Sequence, residues 1–297
     1  MYPRAFHYHR AKSLKEASTM LSQIGEGAKL LAGGQSLIPL MKLRFANPPH
    51  LVDLNFVPRT SYIKASKGEL RFGALTRHAE IENSTVAAKI PMIHDCAAGI
   101  ADVQVRNRGT IGGSIAEADP SGDWAVVLAT LPTEVHCFGK GGKRQIALSD
   151  FIRDAYTTAL NPDELISEVV VKIPEKGSGG AYLAFKRSAP VYPTASVAVH
   201  LMMSGDTCTE AHIALGCVGL TAIRPTDAEA ALRGQPLTEK TITDAMEAAR
   251  AAADPQPDMR GTADYKRTLV GALLKKAIGV AARRARGERV ELSHLYA

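Results

Sequence analysis

Lys29-Leu30-Leu31-Ala32-Gly33-Gly34-Gln35-Ser36 is the stretch on which the reading of this chain turns. A short apolar run ends in a glycine pair, and a helical pattern from Leu37 to Leu43 follows at once. Strand, glycine turn and helix start together form an anion-binding arrangement. With no Cβ in the way the main chain can approach a phosphate, and the following N–H groups and the helix dipole stabilise its charge. Ser36 adds a hydroxyl donor. On the N-terminal side, Ser13-Leu14-Lys15-Glu16 reads as a capping box. It opens a helix with Leu14, Ala17, Leu21 and Ile24 on one face, ending near Gly25 or Gly27. On the C-terminal side, Leu51 to Leu54 and Glu69 to Gly73 read as strands, and Thr76 to Ile100 as a helical stretch.

A second glycine turn, Thr110-Ile111-Gly112-Gly113-Ser114, precedes a helix starting at Ser121 or Gly122 and running through Trp124, Val127, Leu128 and Leu131. Taken singly, either loop reads equally as an ordinary tight turn or as an anion site. Two such loops in one half point to a diphosphate clamped from two sides, with Thr110 and Ser114 supplying hydroxyls. Thr133 to Phe138 and Arg144 to Leu148 pattern as a hairpin, and Leu165 to Ile173 as a β-branched strand. Glu175 to Gly180 is the best linker. Beyond it come strands at Ala181 to Arg187, Ala195 to Met203 and Cys208 to Cys217, then helices near Thr226 to Leu232, Thr238 to Ala252 and Thr262 to Arg286. That part reads as α+β.

The bulk properties exclude several classes of protein. A chain of 297 residues with 45% apolar content suggests two domains with real cores, which rules out disorder and fibrous repeats. Aromatics at 5% argue against a nucleic-acid stacking platform. Cys96, Cys137, Cys208 and Cys217 lie 41, 71 and 9 positions apart, outside metal or iron-sulfur spacing and too sparse for a disulfide scaffold. We expect no metal site and a reduced, cytoplasmic setting. The opening MYPRAFHYHR lacks a signal-peptide core, and no apolar run is long enough to cross a membrane. Net charge is +6, and residues 250–297 hold ten Lys/Arg against five acids, a local +5. This basic tail reads either as a face for an acidic partner surface or nucleic acid, or as a solvated helix face. No Rossmann glycine fingerprint, P-loop, nucleophile elbow or zinc helix occurs. Hydrolytic chemistry therefore has no visible apparatus, and we assign no catalytic residue.

Taken together, Ala32-Gly33-Gly34-Gln35-Ser36 with Leu37 to Arg44, and Arg108-Gly109-Thr110-Ile111-Gly112-Gly113-Ser114 with Ala118-Asp119-Pro120 and Asp123, resemble the FAD-binding medium subunit of molybdenum hydroxylases, the family of aerobic carbon monoxide dehydrogenase and xanthine dehydrogenase. The paired motifs are specific, and the likeness runs over essentially the whole chain. It implies an α+β fold: a PCMH-type FAD-binding region of two α/β subdomains (about 1–57 and 58–176), then a C-terminal α+β domain (177–297) like that of the carbon monoxide dehydrogenase flavoprotein.

By the same resemblance, Ala32, Gly33, Gly34, Gln35 and Ser36 hold the FAD pyrophosphate together with Thr110, Ile111, Gly112, Gly113 and Ser114. Asp123 would contact ribityl or ring polar atoms, and Lys186 would place a cation near the reducible edge of the flavin. An exposed strand lysine is the plainer alternative for Lys186. Tyr192 either lies against the isoalloxazine face or packs at the rim, and Ile166 gives apolar contact or simple strand core. Ser114 and Glu117 depart from the usual Asn or Asp and His of relatives. The resemblance further implies electron transfer from iron-sulfur clusters on a small subunit, with molybdopterin on a large subunit, to an external acceptor, and no nucleic acid or transmembrane segment. A stand-alone flavin oxidase and a non-redox nucleotide-binding protein are the competing readings.

Overall fold

The computed structural model describes residues 2–292 and the backbone of Leu295–Tyr296. The first layer holds β1 (His7–Arg10), α1 (Leu14–Ile24), β2 (Ala28–Leu31), α2 (Leu37–Leu43) and β3 (His50–Asp53), with the parallel strands ordered β1-β3-β2. Parallel neighbours need crossovers, and the two helices supply them. Ser13 Oγ accepts from Glu16 N at 3.1 Å to start α1, while the Glu16 carboxylate takes Lys12 N, one residue earlier than a capping box would have it. Ala17 and Leu21 bury against Val52 and Leu54. β2 is only partly buried, because its side chains border a cavity.

The second layer runs β4 (Ile63–Ser66), β5 (Glu69–Gly73), α3 (His78–Glu82), α4 (Pro91–Gly99), α5 (Val103–Arg108), α6 (Ile111–Glu117), α7 (Asp123–Leu128), β6 (Thr133–Gly139), β7 (Gly142–Ala147), α8 (Leu148–Phe151), β8 (Ile152–Asp154), β9 (Thr157–Thr158) and β10 (Leu165–Lys172). Its antiparallel sheet is ordered β4-β5-β10-β6-β7 and shares a core with the helices around Phe72, Ile93, Trp124 and Val169. The helical stretch expected from Thr76 to Ile100 is divided into α3, a 3-10 turn at Ala87–Lys89 and α4. Pro91 explains the break: it occupies the first turn of α4, where its missing N–H costs nothing, and pushes Ile90 into an extended conformation.

The third layer contains β11 (Ser178–Lys186), β12 (Ala195–Ser204), β13 (Thr207–Gly216), α9 (Thr226–Leu232), β14 (Gln235–Pro236), α10 (Glu239–Ala252), α11 (Ala263–Ala285) and β15 (Leu295–Tyr296), in sheet order β14-β13-β12-β11-β15. Period-two alternation divides the work of β12 between two cores. Val197, Val199 and Leu201 face α11, while Ala198 joins the core shared with α4.

Two expectations need correcting. Ser178 to Gly180 is strand rather than linker, and Gly179 is small because α11 lies on it: a Cβ there would come within 2.9 Å of Arg284 C and nearer still to other backbone atoms of that helix. Nor is the basic tail all solvated, since Lys266 and Arg284 are buried. Arg284 reaches through to α4, donating to Asp95 at 2.5 and 3.0 Å and to the carbonyls of Gly180 and Val290, each at 2.7 Å. Among the described residues no helix is long and apolar enough to cross a membrane.

Breaking a buried, hydrogen-bonded pair strands the surviving charge, whereas replacing both partners removes the problem. Arg284→Met is therefore expected to cost about 3–5 kcal/mol in urea denaturation, and Asp95→Leu added to it should recover much of that loss.

Candidate functional site

The two glycine loops touch. A Cβ on Gly33 would lie 2.8 Å from Gly109 Cα and 2.9 Å from Arg108 C, and closer again to Arg108 O. Nothing but hydrogen fits there. Gly34 is glycine for a different reason, its φ of 76° lying in the left-handed region. Gly113 faces the first loop, where a Cβ would come 3.8 Å from that of Ala32. On its far side Gly109 rests against the imidazole of His78, whose own amide donates to Gly109 O at 3.0 Å.

A cavity of about 600 Å³ opens beside this contact, between the three layers. That is an ordinary size for a small-molecule or cofactor site. Ala32, Gly33, Gly34, Gln35, Ser36, Thr110, Gly112, Gly113, Ser114, Asp123, Ile166, Lys186 and Tyr192 all border it. Ile111 does not: its side chain is wholly buried in the core, and its amide donates to Thr76 O at 3.1 Å. The loops also differ in what they offer. In the second, Gly112 N is taken by Ala74 O at 2.9 Å and Gly113 N by Thr110 Oγ1 at 3.1 Å, so these amides stitch the loop to its own layer. In the first, none of the hydrogen bonds among the described residues is donated by the amides of Gly33, Gly34, Gln35 or Ser36, and the Ser36 hydroxyl makes no cap bond.

Unpartnered main-chain donors at the wall of a cavity, on a loop cleared of Cβ atoms, suit an anion such as a diphosphate. Leu21, Leu30, Leu54 and Ile166 add apolar wall around them. The residues present therefore fit a dinucleotide such as FAD.

At the other end of the cavity the third layer contributes. Lys186 is buried and its Nζ donates to Gly99 O, so it is not the exposed strand lysine of the plainer reading. Asp123 accepts from Tyr182 Oη at 2.6 Å. Burial drives the Tyr182 phenol well above its ordinary value, and the Asp123 charge adds to this, which keeps it a neutral donor. Tyr192 is half-exposed at the rim. Burial, with Asp119 nearby and hydrogen-bonded, raises its phenol, and the same causes raise that of Tyr156. Glu117 is also raised, first by burial and then by Asp119, while Lys29 opposes the shift. Ser114 and Glu117, the two departures noted in the sequence, both border the cavity.

His78 and Tyr156 line the cavity without any signal in the local sequence, because tertiary packing brings them there. Trp124 Nε1 donates to His78 Nδ1 at 3.1 Å, and an indole can only donate, so the imidazole proton sits on Nε2. Burial, then the charges of Arg77 and Arg106, push the His78 pKa down to about 3.

This site, two abutting glycine turns over a dinucleotide-sized cavity closed by a separate α+β layer, defines an FAD-binding oxidoreductase chain. Residues 4–175 match the family described as FAD binding domain in molybdopterin dehydrogenase, and residues 180–281 match the CO dehydrogenase flavoprotein C-terminal domain. The chain belongs to the family of FAD-binding medium subunits of molybdenum hydroxylases. It is 39% identical to the carbon monoxide dehydrogenase medium chain of Afipia carboxidovorans, over 96% of this chain and 100% of that one. It is 36% identical to the 6-hydroxypseudooxynicotine dehydrogenase complex subunit alpha of Paenarthrobacter nicotinovorans, over 99% and 100%. Among solved structures, carbon monoxide dehydrogenase from Hydrogenophaga pseudoflava superposes with a TM-score of 0.93 at 40% identity, covering 96% of this chain and 99% of that one. Quinoline 2-oxidoreductase from Pseudomonas putida 86 gives 0.91 at 33% identity over 96% and 99%. Membership at this coverage sets aside the stand-alone oxidase and the non-redox readings.

Two outcomes follow from the geometry. Gly33→Ala must push the loops apart, an overpacking expected to cost about 1–3 kcal/mol in thermal or urea unfolding and to weaken FAD retention in the same sample. His78 protonates readily in the unfolded chain and hardly at all when folded, so stability should decline as pH falls below about 6.5, by up to ~1.4 kcal/mol per unit from this group. His78→Gln, with an oxygen to accept from Trp124, should flatten that acid limb in denaturant titrations run across the range.

Proposed function

We propose that this chain is the electron-exit subunit of a heteromeric molybdenum hydroxylase. FAD lies between the two glycine loops and the third layer, electrons arrive from iron-sulfur clusters on a small subunit, and the substrate is oxidised at molybdopterin on a large subunit. The reading rests above all on one observation: two loops of bare main chain in contact at one cavity, the first with unpartnered amides, in a chain of this family. Relatives named as medium chains, and one as a subunit of a complex, support a multi-subunit assembly. The four cysteines are buried and unpaired, so the reading looks to other chains for the clusters and to the reduced cytoplasm for the setting. It divides the chain at residue 176, with the cavity bordered from both sides.

When bound, FAD supplies one- and two-electron redox chemistry, and so links single-electron centres to an external acceptor. The chain's own residues do the rest. Gly33, Gly34, Gln35 and Ser36 present donors to the diphosphate, and Thr110 and Ser114 add hydroxyls from the opposite loop. Gly112 lets the loop pack directly on Ala74, and Gly113 keeps the wall facing Ala32 free of a side chain. Ile166 packs on the cofactor from β10. Asp123, oriented by Tyr182, takes a polar hydrogen of the ribityl chain or ring. Lys186, fixed by Gly99 O, holds a buried amine where reduction would place negative charge. Tyr192 shields the outer side.

The purified complex is expected to carry one FAD per copy of this chain, with metal and sulfide on the other subunits. Lys186→Met should leave FAD bound and lower its reduction potential, read by dye equilibration. An unchanged potential would remove Lys186 from this role.

A further inference from the structure

The carbonyls that immediately precede Gly33 and Gly109 are both held by side chains lying outside the cavity. Asn55, two residues past β3, donates from Nδ2 to Ala32 O at 2.9 Å. Arg77, just before α3, donates from Nη1 to Arg108 O and from Nη2 to Asn55 Oδ1. Asn55 is itself oriented, since its main-chain N and its Nδ2 both donate to Asp53 Oδ1, at 2.8 and 2.6 Å, and Tyr8 Oη donates to Asp53 Oδ2 at 2.6 Å. Neither Asn55 nor Arg77 borders the cavity. Burial and the neighbouring Arg108 charge lower the Arg77 pKa from its ordinary value.

In a trans peptide the C=O and N–H point in opposite directions. Pinning Ala32 O on the side away from the cavity therefore aims Gly33 N–H toward it, and blocks the peptide flip that a glycine would otherwise permit. Arg77 likewise anchors the carbonyl of the peptide before Gly109, whose own N–H is already taken by Val105 O at 2.7 Å, so on this loop the bond fixes position rather than aiming a donor. Because one guanidinium joins Asn55 to Arg108 O, it also fixes the separation of the two loops. The planar fork allows this, as two donors in rigid geometry reach two acceptors on different layers. We infer that Asn55 and Arg77 act as one clamp that orients and spaces the phosphate loops. They are positioning residues that touch no ligand and set FAD affinity through the main chain.

This rests on the proposed FAD site, and the test separates the two. FAD dissociation constants are measured on the complex, or on the full chain, for wild type, Asn55→Asp, Arg77→Met and the double variant, each checked for folding by circular dichroism. Asn55→Asp removes the donor to Ala32 O and keeps an acceptor for Arg77. Each single variant should weaken FAD about tenfold or more, as the loss of a buried hydrogen bond or charged contact implies. The double variant should lose clearly less than the product of the two, because members of one network couple. Arg77→Lys, able to reach only one acceptor at a time, should fall between wild type and Arg77→Met, and Arg77→Gln stands in if Arg77→Met does not fold. Affinities within twofold of wild type, or losses that multiply independently while melting temperature drops, would show a merely structural role and overturn the clamp. A wild type that binds no FAD would instead overturn the functional reading beneath it.

Discussion

Two stretches of main chain pressed together at Gly33 and Gly109 set the geometry on which the rest of this molecule depends. Contact that close is available only because Gly33 lacks a side chain, while the bare Cα of Gly109 makes room for His78 on its other side, and it brings the end of a parallel sheet against the helical side of an antiparallel one. Once these turns abut, a trough beside them is unavoidable, and its wall consists of peptide groups. In the proposed site, recognition of a diphosphate then needs no basic side chain at the wall: amides that have no partner among the described residues would provide the donors.

Much of this was legible in the sequence. Glycine pairs, caps and β-branched runs are local signals, and Glu69–Gly73 and Thr226–Leu232 fall where the pattern places them. The two loops were also identifiable, because conformational freedom and close approach leave few residue types to choose from. What the pattern hid is tertiary. Thr76 to Ile100 has helical composition throughout, yet Pro91 divides it. Ser178-Gly179-Gly180 looks like a linker until α11 is seen lying on Gly179. The amides of Ile111 and Gly112 were expected to face the ligand, but they serve neighbouring backbone, a fact that no reading of one segment can supply. His78 reaches the cavity only because Trp124, 46 positions away, fixes its ring.

Buried polar groups under the cavity form a continuous set. Arg284 on α11 meets Asp95 on α4, Asp95 accepts from the Tyr182 amide at 3.4 Å, and the Tyr182 hydroxyl meets Asp123 at the cavity wall. Four positions beyond Tyr182, on the same face of β11, Lys186 is tied to Gly99 O at the end of α4. Taking these charges out of water is unfavourable, and only complete pairing makes it tolerable. The arrangement therefore fixes the third layer against α4, and with it the distance between the phosphate loops and the opposite wall.

The Asp95–Arg284 pair spans 189 positions, and this bears on how the polypeptide matures. During synthesis the carboxylate of Asp95 emerges long before the guanidinium of Arg284 does, so the lower half of the trough cannot close until Arg284 has left the ribosome. Loop closure over such a separation is entropically late, and nascent chains meanwhile expose the apolar face of β12 destined for α11. A chaperone that shelters this face during translation would therefore raise the yield of finished subunit without acting on any residue of the trough.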